Sequence, residues 1–194
     1  MKKRLFIFFT FLPFALYNCT NNNASSDQSK EDTAGKAFYP VGNYIHSQLD
    51  YIDSMPLAVI KYTTIDNVTD TSIIEKQDFK DIAAAFMTPD INSPEFKSQY
   101  EEHSFIDATL GTITLAYTAK NDRVPLRKAD ILLNQENTGV KTIYIEKNIP
   151  GTDSSVIKKM LWIANRNCQI TTLVQKEGQP EDIILEKYVW DNTH

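Results

Sequence analysis

The first half of the chain repeats its apolar positions with the period of an α-helix. An amphipathic helix is predicted over residues 76–87, where the apolar stripe consists of Phe79, Ile82, Ala83 and Phe86. Pro89 should end this helix, because proline lacks the N–H that another turn would need. Residues 39–54 predict a second helix, whose stripe consists of Tyr44, Ile45, Gln48, Leu49 and Ile52. A short third helix is predicted from the cap residue Ser93 to about Glu102.

The second half of the chain alternates apolar and polar positions with a period of 2, which is typical of β-strands. Strands are predicted over residues 112–118, 129–134, 140–149, 156–165, 169–176 and 182–191. One further strand is predicted at residues 57–65, followed by a turn with Asp66, Asn67 and Asp70. The breaks between the C-terminal strands are short, so consecutive strands can only be antiparallel neighbours.

Together these elements predict an α+β fold with one domain over residues 37–194. The N-terminal helices must bury their apolar stripes, and one face of the twisted antiparallel β-meander is the surface available to them. Residues 156–165 are apolar on both sides of the strand. The second face is therefore expected to be partly covered by a loop, curled towards a half-barrel, or used for binding.

The two sides of strand 156–165 carry different kinds of side chain. If residues 166–167 form a two-residue hairpin turn, Ile163 lies opposite Ile170, and Leu161 and Ile163 belong to a face rich in β-branched residues. Stiff aliphatic side chains suit permanent packing, whereas Trp and Met suit a surface that adapts to a ligand. We therefore expect the helices to cover the face with Leu161 and Ile163, and Trp162 to line a cleft.

Large side chains on the meander are the candidate ligand-binding residues. A platform for a sugar or an apolar pocket could be formed by Trp162, Met160, Tyr144 and Trp190. The alternative is that these residues, together with Tyr188, belong to the core, which is the commoner role of aromatic residues on strands.

The first residues of the chain have the features of a secretion signal. Residues 1–4 are basic, and the apolar run 5–17 is shorter than the roughly 20 residues that a spanning helix needs. The sequence Leu-Tyr-Asn-Cys at residues 16–19 resembles a lipobox, the motif after which lipoprotein signal peptidase cleaves and whose cysteine is lipidated. Tyr17 and Asn18 depart from the small residues that are usual there.

The chain thus resembles the lipoproteins of Gram-negative envelopes over its first 36 residues, and this resemblance identifies no functional family. It implies a signal peptide at residues 1–18 and a lipid on Cys19. Residues 20–36 contain no aromatic residue and no Leu, Ile or Val, which predicts a disordered tether. We expect a protein that is anchored to a membrane by its N-terminal lipid, at the outer membrane, facing the periplasm or the cell surface.

The net negative charge of the chain disfavours some classes of binding partner. Without the three basic residues of the leader, residues 20–194 have 17 basic and 25 acidic side chains, a formal charge of −8. A nucleic-acid-binding surface needs clustered positive charge, so no nucleic-acid partner is expected. Electrostatic binding to anionic lipid headgroups is disfavoured for the same reason.

Candidate chemistry in the chain is sparse. The six glycines are dispersed and form no phosphate-binding or dinucleotide loop, so no cofactor is expected. His46, Asp50 and Asp53 share one face of the first helix and could ligate a divalent metal. That face lies opposite the apolar stripe, so we interpret it as solvent-exposed and expect no metal. Cys168 has no neighbouring base in the sequence and is interpreted as a structural thiol.

Our leading functional hypothesis is a non-catalytic envelope protein that binds an apolar or sugar ligand or an envelope protein. One alternative is a hydrolase with a metal site or paired carboxylates, for which the candidates are Asp66, Asp70, Asp78 and Asp81. Another is a structural role in an envelope assembly. A concave pocket on the sheet would favour the binder, converging ionisable groups the enzyme, and a flat apolar patch the assembly role.

Overall fold

The computed structural model describes residues 37–191. The predicted signal peptide, the lipidation of Cys19 and the tether lie outside the described residues. Within residues 37–191, no helix is long and apolar enough to cross a membrane.

Three helices form where the sequence provides an apolar stripe and a defined end. They are α1 (Val41–Ser54), α2 (Lys76–Met87) and α3 (Pro94–Gln99). Both α1 and α2 end two residues before a proline, and the intervening Met55 and Thr88 are extended, as residues before proline prefer to be. Helix α3 begins at a proline, and the Ser93 hydroxyl accepts a hydrogen bond from the Phe96 backbone N–H at 3.2 Å.

Nine antiparallel strands form one sheet in the order β2-β1-β9-β8-β7-β6-β5-β4-β3. Their bounds are β1 Val59–Ile65, β2 Val68–Ile74, β3 Tyr100–Asp107, β4 Thr112–Ala119, β5 Leu126–Asn134, β6 Val140–Pro150, β7 Ser154–Ile163, β8 Asn167–Lys176 and β9 Asp182–Val189. Strands β3 to β9 follow one another as a meander, and β1 then adds to β9. The sheet is open, with β2 and β3 as its edges. The predicted antiparallel meander is confirmed, and the fold is mostly sheet with few helices.

Both edge strands were missing from the prediction. Asp66 and Asn67 form the expected turn, with positive φ angles of 50° and 64°. The chain then returns immediately as β2, so assigning Asp70 to the turn was wrong. The third helix was predicted to continue to about Glu102, but it ends at Gln99 and β3 begins at Tyr100. Both strands carry several polar residues, because each has only one neighbouring strand and is largely exposed.

The helices bury their apolar stripes on one side of the sheet, here called the covered face. Phe79 and Phe86 of α2, Ile45 of α1 and Phe96 of α3 all belong to one core cluster. The sheet contributes its most buried side chains to the same cluster, including Tyr117, Ile131, Ile143, Ile145, Met160, Trp162, Cys168 and Tyr188. Leu161, Ile163 and Tyr144 point to the other side, here called the open face, and lie outside this cluster.

Two lysines cap the C-terminal ends of the two longer helices by donating hydrogen bonds to backbone carbonyls there. Lys76 Nζ donates at 2.5–3.2 Å to three backbone carbonyls at the end of α1, those of Ile52, Asp53 and Met55. Lys147 Nζ on β6 donates to two carbonyls at the end of α2, those of Ala85 and Thr88. Carbonyls at a helix end have no partner within the helix, and a cation there also interacts favourably with the helix dipole.

Candidate functional site

The four candidate ligand-binding residues do not form one site, because three of them lie in the core and the fourth lies on the opposite face of the sheet. Met160, Trp162 and Trp190 are buried on the covered face, with 0%, 0% and 2% of their surfaces exposed. The Trp162 ring lies 5.2 Å from the Phe86 ring and 5.0 Å from the Trp190 ring, centroid to centroid. These side chains are therefore core residues. Tyr144 lies on the open face and is only partly buried.

The expected face assignment was wrong, because Met160 and Trp162 pack beneath the helices. The predicted pairing of β7 with β8 was also wrong, because the turn between them differs from the predicted one. Ile163 pairs with Asn167, and Met160 rather than Ile163 pairs with Ile170. The chain turns through residues 164–166, with Asn165 in a left-handed conformation at φ 59°. The helices cover Met160 and Trp162, so that the largest apolar surfaces of β7 are removed from water.

On the open face, Tyr144 is part of a polar network with its neighbours along the strand. Its hydroxyl donates a hydrogen bond to Glu146 Oε2 at 2.9 Å. Partial burial and this contact with Glu146 raise the pKa of Tyr144 to about 12. At neutral pH the hydroxyl therefore keeps its proton, and the side chain acts as a hydrogen-bond donor.

A cleft of about 340 Å³ lies beside this network. Its lining comes from β4 to β7 and the β4–β5 loop, and consists of Thr118, Ala119, Asp122, Arg127, Glu146, Asn148 and Ile157. Arg127 occupies a bulge of β5, because Leu126 pairs with Lys147 while Lys128 pairs with Glu146. A bulge gives one strand an extra residue and redirects its side chain.

Charges of both signs meet at this cleft. Arg127 Nη1 lies 2.9 Å from Asp122 Oδ1 and also donates to the Asn121 carbonyl at 3.2 Å. Glu146 lies on the open face between its cross-strand neighbours Lys128 and Lys159. The cleft thus offers a guanidinium, two carboxylates and an amide beside the apolar Ile157 side chain. This combination can donate and accept several hydrogen bonds to one polar ligand.

The proposed metal and carboxylate candidates lie elsewhere. His46, Asp50 and Asp53 are exposed, which confirms the solvent-face interpretation, and Asp53 forms an ion pair with Lys80 at 2.6 Å. The four other aspartates are also exposed, on the β1–β2 hairpin and on α2: Asp66, Asp70, Asp78 and Asp81. Among residues 37–191, no group of three or more His, Cys, Asp or Glu side chains could hold a metal ion.

Cys168 is a buried thiol in the core, opposite Trp162 in the sheet. Burial raises the pKa of this thiol well above its usual value, and the nearby Glu186 carboxylate acts in the same direction. A nucleophilic cysteine needs a stabilised thiolate, and this environment opposes its formation. The structure is therefore consistent with a structural thiol.

Sequence reasoning found Tyr144 but missed Arg127, Glu146 and Asn148. Glu146 and Asn148 follow Tyr144 at intervals of two residues, so the strand period alone places all three on one face. That signal was present in the sequence. The position of Arg127 depends on a bulge, and its approach to the cleft could not be read from the pattern.

The protein thus consists of an open antiparallel sheet, with helices on one face and a polar cleft on the other. No protein-family model matches this chain, and no curated protein or solved structure matches it.

Proposed function

We propose that this protein is a membrane-anchored envelope lipoprotein that binds a saccharide, without catalysis, in the open-face cleft. The main supporting observation is the cleft itself, in which Arg127, Glu146 and Asn148 converge beside Tyr144. The lipobox-like sequence that ends at Cys19 supports the location. An envelope anchor would hold the sheet near the glycans of the cell surface and cell wall.

The chemistry of the lining favours a saccharide over an apolar ligand. Each sugar hydroxyl both donates and accepts hydrogen bonds, so its binding site needs donors and acceptors side by side. Arg127 and Asn148 supply N–H donors, and Glu146 supplies an acceptor. The Ile157 side chain offers an apolar surface for the C–H groups of a sugar ring. A cleft of about 340 Å³ is within the usual size range of small-molecule sites.

An apolar ligand would need space beneath the helices, where aromatic rings already fill the covered face. Phe79 lies 6.0 Å from Trp162 and 5.5 Å from Trp190, centroid to centroid. Such packing is typical of a protein core. A carrier of acyl chains is therefore less well supported than a binder of polar ligands.

A hydrolase is the second candidate, since two carboxylates, Asp122 and Glu146, line the same cleft. Glycosidases commonly use a pair of carboxyl groups that flank the scissile bond. Here the Asp122 side chain is fully exposed and bound to Arg127, and Glu146 accepts a hydrogen bond from the Tyr144 hydroxyl. These contacts suit fixed anions that orient other groups, which is why binding without turnover is the preferred proposal.

A glycan array probed with the full-length protein, followed by calorimetry on the best oligosaccharide, tests the proposal. Arg127→Ala should weaken binding by about tenfold or more, since a hydrogen bond to a charged group contributes about 1.5–3 kcal/mol. Asn148→Ala should weaken it by about two- to tenfold, since a hydrogen bond between neutral groups contributes about 0.5–1.5 kcal/mol. Gln169→Ala, on the same face but outside the lining, is the matched control and should bind normally. Release of shortened sugar would favour the hydrolase. If no oligosaccharide binds saturably, the proposal is wrong.

A further inference from the structure

The edge strand β3 and the turn that follows it expose an unusual amount of apolar surface. Phe105, Ile106 and Leu110 are 65%, 59% and 69% exposed. Strand β3 pairs with β4 on one side only, so the backbone groups on its other side have no partner strand in the sheet. An exposed apolar edge strand is a template for pairing with another strand.

The pairing of β3 with β4 fixes the direction of its side chains. Phe105 lies opposite Thr114 and belongs to the open face, like His103 and Asp107 two residues away on either side. Ile106 lies opposite Ile113 and points to the covered side. The side chains of β3 that lie on the open face are therefore, in order, His103, Phe105 and Asp107.

We propose that β3 pairs antiparallel with β3 of a second copy of this chain, about a twofold axis at Phe105. In this register the two Phe105 rings lie opposite each other, and His103 of each copy lies opposite Asp107 of the other. Opposite residues in an antiparallel pair have Cβ atoms about 4.5–5.5 Å apart, close enough for aromatic and charge pairs to contact. An interface with such symmetry uses the same surface on both copies.

Charge favours this register over the one at Ser104. With the axis at Phe105, the paired residues run from His103 to Asp107, because β3 ends at Asp107. Glu101 and Glu102 then lie beyond the paired segment, so no two carboxylates meet. An axis one residue earlier, at Ser104, would set Glu101 opposite Asp107, and like charges directly opposite each other are destabilising. The apolar surface and the charge pattern of β3 therefore favour the same arrangement.

The other edge strand, β2, lacks this complementarity. Val68 and Ile73 are exposed there, but Asp70 is the only charged residue of the strand. Pairing two copies of β2 about Thr71 would bring no opposite charges together. We therefore assign the interface to β3, and β2 supplies the comparison in the test.

Cysteine cross-linking in membranes from cells that express the full chain tests this interface. Phe105→Cys should give a disulfide-linked dimer on mild oxidation, because the two sulfur atoms would face each other across the axis. Thr71→Cys on β2 is the matched control and should stay monomeric. The unsubstituted protein controls for Cys19 and Cys168.

Substitutions at His103 distinguish a specific register from random collision. In the Phe105→Cys protein, His103→Asp should abolish the dimer, since it sets two carboxylates opposite each other. His103→Lys should preserve it, because the lysine ammonium group can pair with the Asp107 carboxylate of the other copy. The double variant His103→Cys/Asp107→Cys retains Phe105 and should also cross-link. Absence of a dimer in both cysteine variants, equal cross-linking through Thr71→Cys, or insensitivity to His103→Asp would overturn the proposal.

Discussion

The side-chain amide of Gln48 on α1 contacts Asn165 in the β7–β8 turn through two hydrogen bonds. Its Nε2 donates to Asn165 Oδ1, and its Oε1 accepts from the Asn165 backbone N–H, both at 2.8 Å. The same Oε1 accepts from the Trp162 indole N–H at 3.4 Å. Gln48 is only 7% exposed and Trp162 is fully buried, so this amide satisfies an indole N–H that would otherwise be buried without a partner.

Gln48→Ala should therefore lower the free energy of unfolding by about 1–3 kcal/mol, the cost of leaving buried polar groups unsatisfied. Asn43→Ala, on the exposed side of the same helix, should change it by less than about 0.5 kcal/mol. Denaturant melts of both variants measure the difference. Equal, small effects would show that the amide does not hold α1 to the turn.

Lys147 predicts a pH dependence of stability. Burial and the neighbouring Lys158 ammonium lower the pKa of Lys147 from its usual 10.5 to about 8. Between these two values the unfolded chain binds more protons at this residue than the folded protein does. The contribution of Lys147 to the free energy of unfolding should therefore rise with pH from about 8 upwards, by up to about 3 kcal/mol by pH 10.5.

Chemical denaturation of the Cys168→Ala protein from pH 7.5 to 9.5 measures this slope below the range in which tyrosines ionise. The substitution is needed because the raised pKa of the Cys168 thiol makes the wild type less stable as the pH rises through the same range. Lys147→Met in this protein should remove the slope, although it also removes the contacts with the end of α2. Lys158→Gln should flatten the slope while leaving those contacts in place, because it removes the second cause of the shift. A stability of the Cys168→Ala protein that falls over this pH range would contradict the prediction.

The lipid anchor is tested at Cys19. Because the lipid would be attached through the sulfur atom of that residue, Cys19→Ala should abolish metabolic labelling with a fatty-acid analogue. Cys168→Ala is the control and should be labelled like the wild type, since that thiol is buried. Labelling that persists in the Cys19→Ala protein would rule out the lipobox interpretation.

The parts of the fold that could be predicted are those set by local periodicity. The stripe containing Phe79, Ala83 and Phe86 is buried as expected, because residues three and four apart share one side of a helix. The central strands were predicted because apolar residues recur at every second position along at least one face of each strand. Strand β3 was missed because a capped helix starts just before it, and the sequence does not show that this helix lasts only from Pro94 to Gln99.

The face of the sheet on which Trp162 lies could not be predicted from local periodicity. Whether Trp162 faces the helices depends on how the helices and the sheet share apolar area, which is a tertiary effect. Its pairing with Cys168 depends on the turn at Asn165, and a small shift in a turn changes the register of both strands. The cleft could not be predicted for the same reason. Its lining residues come from several segments of the chain, which become neighbours only in the folded sheet.

The place of β1 beside β9 also determines the order in which the molecule can be assembled. Ile60 pairs with Val189, which lies 129 residues further along the chain, while the other strand pairs join consecutive strands. As the polypeptide emerges, the meander from β3 onwards can form step by step. The β1–β2 hairpin can join the sheet only after β9 has formed. Contacts between residues this far apart in the sequence form slowly during folding.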